Sequence, residues 1–304
     1  MKHHIPVKTD SWDVQTPGFT EVDLVAHSGN SGADEFAYTL NLTDVHSGWT
    51  ESRALLGKSQ VAVPQALDEI RASLRFPLLG LDSDNDSGFI NWHLKRWCET
   101  QPIPLTRGRP YKKDDNAHIE PKNWTHLRKL LGWERYDSPM AVAALNDLYG
   151  GQLRLWLNLY LPSVKRVKKA RVGAKVRRVL DVPQTPWQRL LASGPTDAAP
   201  IAERKKLRLS LDPFLLGQQI DQKLQRIYVL ANRRLRPKLA PANSDTRTSS
   251  KKHSQDQSKK RNRNGKNQQE LRNRGWGKGA SNAGPLPPDP HSPAHGYISN
   301  VSTA

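Results

Sequence analysis

Residues 18–56 read GFTEVDLVAHSGNSGADEFAYTLNLTDVHSGWTESRALL, and their spacing sets the architecture. The segment 18–27 mixes apolar and polar residues at strand length. The segment 35–44 alternates more cleanly, with Phe36, Tyr38, Leu40 and Leu42 on one face, the period of a half-buried strand. SGNSGA between them is turn chemistry, and His46-Ser47-Gly48 separates the second run from a third, WTESRALL at 49–56. A three-stranded meander is expected at the front of the chain.

Downstream the period changes. QVAVPQALDEIRASLRF (60–76) places Val63, Leu67, Ile70 and Leu74 at helical spacing, and PLLGLDSD (77–84) is a short apolar run that ends in acids. Helix, then buried strand, is the expectation. Residues 88–101 read as a helix, 102–106 as a short strand, and RGRPYKKDDN as a polar loop. In NWTHLRKLLGW, Trp124, Leu127, Leu130 and Leu131 share one helical face. Residues 138–161 supply further helix, with Ser138 as cap and Pro139 at the first helical position. The order β-β-β-α-β-α-β-α-α is that of an α/β fold with an RNase H-like mixed five-stranded sheet flanked by helices, although periodicity alone allows other α/β arrangements.

The 304 residues carry 47 Lys+Arg against 29 Asp+Glu, a formal charge of +18, which points to a polyanionic partner. The charge is unevenly spread. Residues 1–160 hold 17 basic and 20 acidic side chains, 161–240 hold 19 and 5, and 241–304 hold 11 and 4. Three regions follow: a catalytic-core candidate at 1–160, a basic region with a helical segment at 161–240, and a basic tail at 241–304. The tail is rich in Ser, Asn, Gln, Lys, Arg, Gly and Pro and is expected to be disordered, because its apolar content cannot offset the ordering entropy. One cysteine excludes a disulfide framework and a cysteine-rich zinc site. No run reaches the roughly 18 apolar residues of a membrane span, and the first residues lack the apolar segment of a signal peptide. No membrane partner and a cytoplasmic location are expected.

Three acids stand out by position. Asp23 lies inside the first strand, Asp84 ends the fourth, and Glu120 opens a helix after a basic loop. Carboxylates near a core are costly unless paired or bound to a cation, and Mg²⁺ (or Mn²⁺) is commonly held by a few carboxylates plus phosphate oxygens. Two such ions about 3.5–4 Å apart can clamp both oxygens of an in-line phosphoryl displacement. Between Asp84 and Glu120 lie 35 residues.

With those acids and that spacing, the chain resembles the DDE transposases of the retroviral-integrase type, and in detail the integrase core of ISNCY-group insertion-sequence transposases. The segments that carry the resemblance are HIPVKTDSWDVQTPGFTEVDLVAHSG, LTDVHSGWTESRALLGK, FPLLGLDSDNDSGFINWHL, TRGRPYKKDDNAHIEPKNWTHLRKLLGW, LNDLYG and KARVGAKVRRVLDVPQTPWQRLL. They span about residues 4–192. The resemblance implies that Asp23, Asp84 and Glu120 are the catalytic, metal-binding triad holding two Mg²⁺ or Mn²⁺ ions. It also implies cleavage of transposon-end DNA to a 3′-hydroxyl, attack of that hydroxyl on target DNA, action as a homo-oligomer, and residence in the bacterial cytoplasm or nucleoid. Register chooses Asp84 over its neighbours Asp82 and Asp86, and Asp82 is expected to hydrogen-bond near the strand end.

Other residues near the acids read as DNA contacts or as ordinary surface. Arg107, Arg109, Lys112 and Lys113 surround the loop before Glu120. Lys122, Asn123, Arg128 and Lys129 follow it on the same helix, where a polar face would lie along substrate. Lys168, Lys169, Arg171 and Lys175 belong to the dense stretch KRVKKARVGAKVRR at 165–178, expected to track a DNA backbone. His118 is either near the scissile phosphate or on the surface. Asp114 and Asp115 read as solvated loop residues, and Trp49, Trp92, Trp97, Trp124 and Trp156 as core. In 207–236, Leu216, Ile220, Leu224 and Ile227 sit at helical spacing, for packing on the core or on a second subunit.

Three features depart from the family pattern. Only 22 residues precede Asp23, where family members carry a helix-turn-helix region, so the chain is expected to begin after that region. Asp86 replaces the turn glycine, and Pro121 follows Glu120, which suits only a helix's first turn. An active transposase is thus weighed against a catalytically inactive remnant that binds DNA or joins intact transposase. A general RNase H-like nuclease fits the fold but not the flanking motifs.

Overall fold

The computed structural model describes residues 1–8, 14–109, 113–173, 175–194 and 198–233. The expected tail at 241–304 lies outside the described residues. The meander forms as β1 (Phe19–Ala26), β2 (Ala37–Asp44) and β3 (Thr50–Leu56), followed by α1 (Ala62–Ser73), β4 (Gly80–Ser83), α2 (Trp92–Thr100) and β5 (Leu105–Arg107). The sheet order is β3-β2-β1-β4-β5, with β1 antiparallel to β2 and parallel to β4, and β5 parallel to β4. That is the RNase H-like arrangement.

One sheet face is apolar. Val22, Leu40 and Leu42 pack with Val63, Leu67 and Ile70 of α1 and Leu94 of α2, the burial that stabilises both layers. Trp187 and Leu190, of α6 (Pro186–Ala192), enter the same core. A Thr185–Gln188 capping box and Pro186 in the first turn begin that helix. In α2, Asn91 caps by accepting from the Leu94 N–H at 2.9 Å. The helix therefore starts at Trp92, later than the sequence pattern suggests.

The other face is polar yet buried. Thr39, Asn41 and Thr43 are solvent-free because a second helical layer covers them. It contains α3 (Glu120–Lys122), a π-type stretch Asn123–Arg128, and α4 (Lys129–Leu131). It continues in α5 (Pro139–Leu148), capped by Ser138 with Pro139 at its start and extended by further π-type turns to Tyr160. Thr39 Oγ1 meets the Tyr149 hydroxyl at 2.8 Å and the His27 ring at 2.7 Å, and burial holds that imidazole down at about 3.

Beyond the sheet, β6 (Arg166–Val172) and β7 (Lys175–Leu180) form a separate antiparallel ribbon. It is followed by α6, α7 (Ala198–Ser210) and α8 (Pro213–Val229). Leu216, Ile220, Leu224 and Ile227 are buried along α8, which packs against α5 and α4 of its own chain. Among the described residues, no helix is long and apolar enough to cross a membrane.

Candidate active site

The β1–β4 ladder pairs Phe19 with Gly80, Thr20 with Leu81, Glu21 with Asp82 and Val22 with Ser83. One step further along that register, Asp23 comes beside Asp84. Parallel strands thus bring together two acids 61 positions apart in the chain. Burial and the Asp84 charge push the Asp23 carboxyl up to about 7, and Asp84 is raised by burial and by Asp86. Neither acid has a salt bridge among the described residues.

Asp23 is firmly oriented. Its Oδ1 accepts from the Leu24 N–H at 2.7 Å and its Oδ2 from Asn123 Nδ2 at 2.6 Å. Asn123 Oδ1 in turn accepts from Asn41 Nδ2 at 2.7 Å, and Asn41 Oδ1 from the Ser52 hydroxyl at 2.9 Å. A line of amides across three strands therefore fixes one carboxylate rotamer. Asp84 Oδ1 accepts the Asp86 N–H at 2.8 Å, and Asp86 accepts the Gly88 N–H at 2.7 Å. Lys58 Nζ lies 2.9 Å from Asp86 Oδ2, so the charge added where a glycine was expected meets a cation, and that pairing raises the Lys58 pKa.

Glu120 stands apart. It is exposed at the start of α3, and among the described residues no group of three or more His, Cys, Asp or Glu side chains is placed to hold a metal ion. Helix formation does begin at Glu120, and Pro121 sits in the first turn without disrupting it. The hard, partly buried oxygens of Asp23 and Asp84, which make no salt bridge among the described residues, fit a divalent ion. Of the three expected ligands, Asp23 and Asp84 lie on neighbouring parallel strands, and no three-acid group that includes Glu120 is found among the described residues.

Sequence reasoning missed Glu21. Its buried carboxylate accepts the His118 and Ile119 N–H groups, each at 2.9 Å, tying the segment before Glu120 to β1. Burial raises it to about 7 despite Lys8. The period of β1 carried the only signal, since Glu21 shares the face of Asp23. Asp82 accepts from the Thr106 hydroxyl at 2.5 Å and from Lys8 Nζ at 3.3 Å, as its strand-end position suggested. His118 is brought to about 4 by burial and by Lys165, Lys8, Lys122 and Arg166. Four cations from three segments thus converge on His118, two residues before Glu120.

Several expected DNA contacts turn inward. Lys122 Nζ donates to the Gly48 carbonyl at 2.7 Å, and burial lowers it to about 8. Arg128 donates to the Ala26 carbonyl at 2.7 Å and covers the Trp133 ring at 4.3 Å. Asn123 serves Asp23, and Arg107 holds the Ile5 carbonyl and Asn85. The π-type turns rotate this helix so that Asn123, Leu127 and Leu131 face the sheet. Arg109 grips Asp115 through two nitrogens, at 3.0 and 2.6 Å, which holds that carboxyl near 2. Asp115 is thus ion-paired, contrary to the solvated residue expected.

Lys112 and the side chains of Lys113, Asp114, Lys169 and Lys175 lie outside the described residues, whereas Lys168 and Arg171 are exposed. Trp49 and Trp97 are core as expected, and Trp156 is partly buried. Trp92 and Trp124 are half exposed, contrary to the pattern: Trp92 lies at the surface with its ring tilted 44° to that of His4, and Trp124 falls on the outer side of the π-type stretch.

No family model matches the chain. It is 40% identical over 190 residues, 62% of its length, to uncharacterized protein y4rM of Sinorhizobium fredii, and spans 54% of that relative. Among solved structures it is similar to the catalytic core domain of BIV integrase, with 17% identity over 58% of this chain and 95% of that one and a TM-score of 0.38. It is also similar to a simian T-cell lymphotropic virus intasome in complex with PP2A regulatory subunit B56 gamma, with 15% identity, 60% and 58% coverage, and a TM-score of 0.42. At that level the likeness adds nothing to the strand order itself.

Proposed function

We propose that the chain is a divalent-cation-dependent polynucleotidyl transferase acting on DNA, of the transposase type that its motifs resemble. The observation that carries this is the Asp23–Asp84 pair, two oriented carboxylates on adjacent parallel strands with no salt bridge among the described residues. Those two residues would hold Mg²⁺ or Mn²⁺, and Glu120 would join them when DNA and metal draw α3 inward. A bound ion supplies Lewis acidity at the attacked phosphate. The chain's own part is positional. The Ser52–Asn41–Asn123 line keeps Asp23 aimed, Glu21 anchors the segment that carries Glu120, and the cations around His118 attract the phosphate backbone.

A second reading, DNA binding without catalysis, is favoured by the exposed Glu120 and by the lack of a three-acid group among the described residues. A strand-transfer assay separates the two. Duplex with a free 3′-hydroxyl end is incubated with supercoiled target and Mg²⁺ or Mn²⁺. Joined product from wild type, abolished in Asp84→Asn and Glu120→Gln, supports the transferase. Equal absence of product from all three, with DNA binding retained, supports the binding-only protein.

A further inference from the structure

The ribbon β6–β7 is charged in a way its own fold does not satisfy. Eight Lys and Arg residues and no acid lie between 165 and 178, and among the described residues no salt bridge reaches positions 166–178. A lone two-stranded ribbon is marginal. What holds this one is its base. Asp181 exchanges backbone and side-chain bonds with Lys165, Arg189 bonds Asp181 and Ser163, and Lys165 Nζ reaches the Val45 and His46 carbonyls. The base thus sits beside the β2–β3 turn, and Lys165 and Arg166 are among the cations felt by His118.

Register shows where the charges point. Lys168 pairs with Val179 and Ala170 with Arg177, so Lys168 and Arg177 share one face; Arg171 pairs with Val176, next to Arg178, on the other. All four are exposed, as are Val176 and Val179. A membrane or other flat anionic surface would be met by one face. Cations on both faces fit a partner that encloses the ribbon, and the major groove of B-DNA, about 12 Å wide, admits a two-stranded β-ribbon between two phosphate walls. The A-form RNA groove is too narrow and deep. The ladder runs up to the Val172–Lys175 pair, and Gly173 follows Val172 with a φ of +60°, a value glycine adopts freely.

We propose that residues 166–180 enter the major groove of duplex DNA, with Lys168 and Arg177 facing one phosphate wall and Arg171 and Arg178 the other. This rests on the DNA reading above, and goes beyond a backbone-tracking stretch. The test compares the full chain with Lys168→Gln/Arg177→Gln and Arg171→Gln/Arg178→Gln in anisotropy titrations of a mixed-sequence duplex at 50–200 mM salt, alongside dimethyl sulfate footprinting of guanine N7. Each pair should lower the salt slope by about 1.8 and weaken N7 protection, with Tm little changed, since none of the four side chains has a salt bridge among the described residues and Arg171 gives up only an exposed bond to the Gly173 carbonyl. An effect confined to one pair, unaltered N7 reactivity, tighter binding to duplex RNA, or no DNA binding by wild type would overturn it. Strand transfer by wild type with ribbon variants binding normally would sink the ribbon alone. The ribbon result without any transfer would sink only the catalysis.

Discussion

Ionising Asp23 costs the fold stability, and replacing it with asparagine should return that cost at alkaline pH. Its carboxyl is raised from an ordinary 3.8 to about 7, first by burial and then by Asp84. Because the folded value is the higher one, the stabilising contribution is complete below about pH 4 and is lost as pH rises toward 7. At about 1.36 kcal/mol per pH unit, the gap corresponds to about 4 kcal/mol at pH 8. Against this, asparagine has one oxygen where the carboxylate has two, and either the Leu24 N–H or Asn123 Nδ2 loses its acceptor, which costs about 1 kcal/mol. Asp23→Asn should therefore be about 1 kcal/mol less stable than wild type at pH 4 and about 3 kcal/mol more stable at pH 8. Urea unfolding of both full chains in EDTA across that range measures the difference directly. A difference that stays flat from pH 4 to pH 8 would refute the placement of this carboxylate.

Other outcomes follow from the same contacts. Glu21→Ala removes the acceptor of the His118 and Ile119 amides; it should cost about 1–3 kcal/mol and speed hydrogen exchange at those two amides, and unchanged protection there would contradict the anchor. Asn123→Ala breaks the line from Ser52 to Asp23 and should lower the strand-transfer rate while leaving DNA affinity within about twofold, because its amide is spent inside the protein. Ile220→Ala on α8, whose side chain is solvent-free, should cost about 2–5 kcal/mol in chemical unfolding. A loss below about 1 kcal/mol would mean that α8 does not pack on this core.

Much of the sheet was legible because alternation and turn chemistry are local. Phe36 to Leu42, SGNSGA and His46-Ser47-Gly48 mark the meander without any tertiary knowledge, and the α8 stripe declared its buried face in the same way. The polar face of the sheet was not legible: Thr39 and Asn41 look like solvent positions until a second helical layer covers them and pairs them with Tyr149, His27 and Asn123. The 123–128 stretch misled for a related reason. A 3.6-residue period assigns Trp124 to the core together with Leu127; Leu127 is buried, but across the π-type turns His126 takes the inner place and Trp124 falls outside. Among the acids, Asp23 and Asp84 stood out by position and family likeness, and the β1–β4 register sets them side by side. Glu21 stayed hidden because a buried carboxylate that accepts two backbone amides has no sequence signature beyond its strand parity. The basic stretch at 165–178 announced its charge but not its hairpin, since few residues there alternate in polarity.

A manganese titration followed by electron paramagnetic resonance goes to the core of the account. The 304-residue chain should take up Mn²⁺ at a site that weakens at least tenfold in both Asp23→Asn and Asp84→Asn, because the two carboxylates would share one ion. Indistinguishable Mn²⁺ binding by all three proteins would contradict a metal centre at this strand pair.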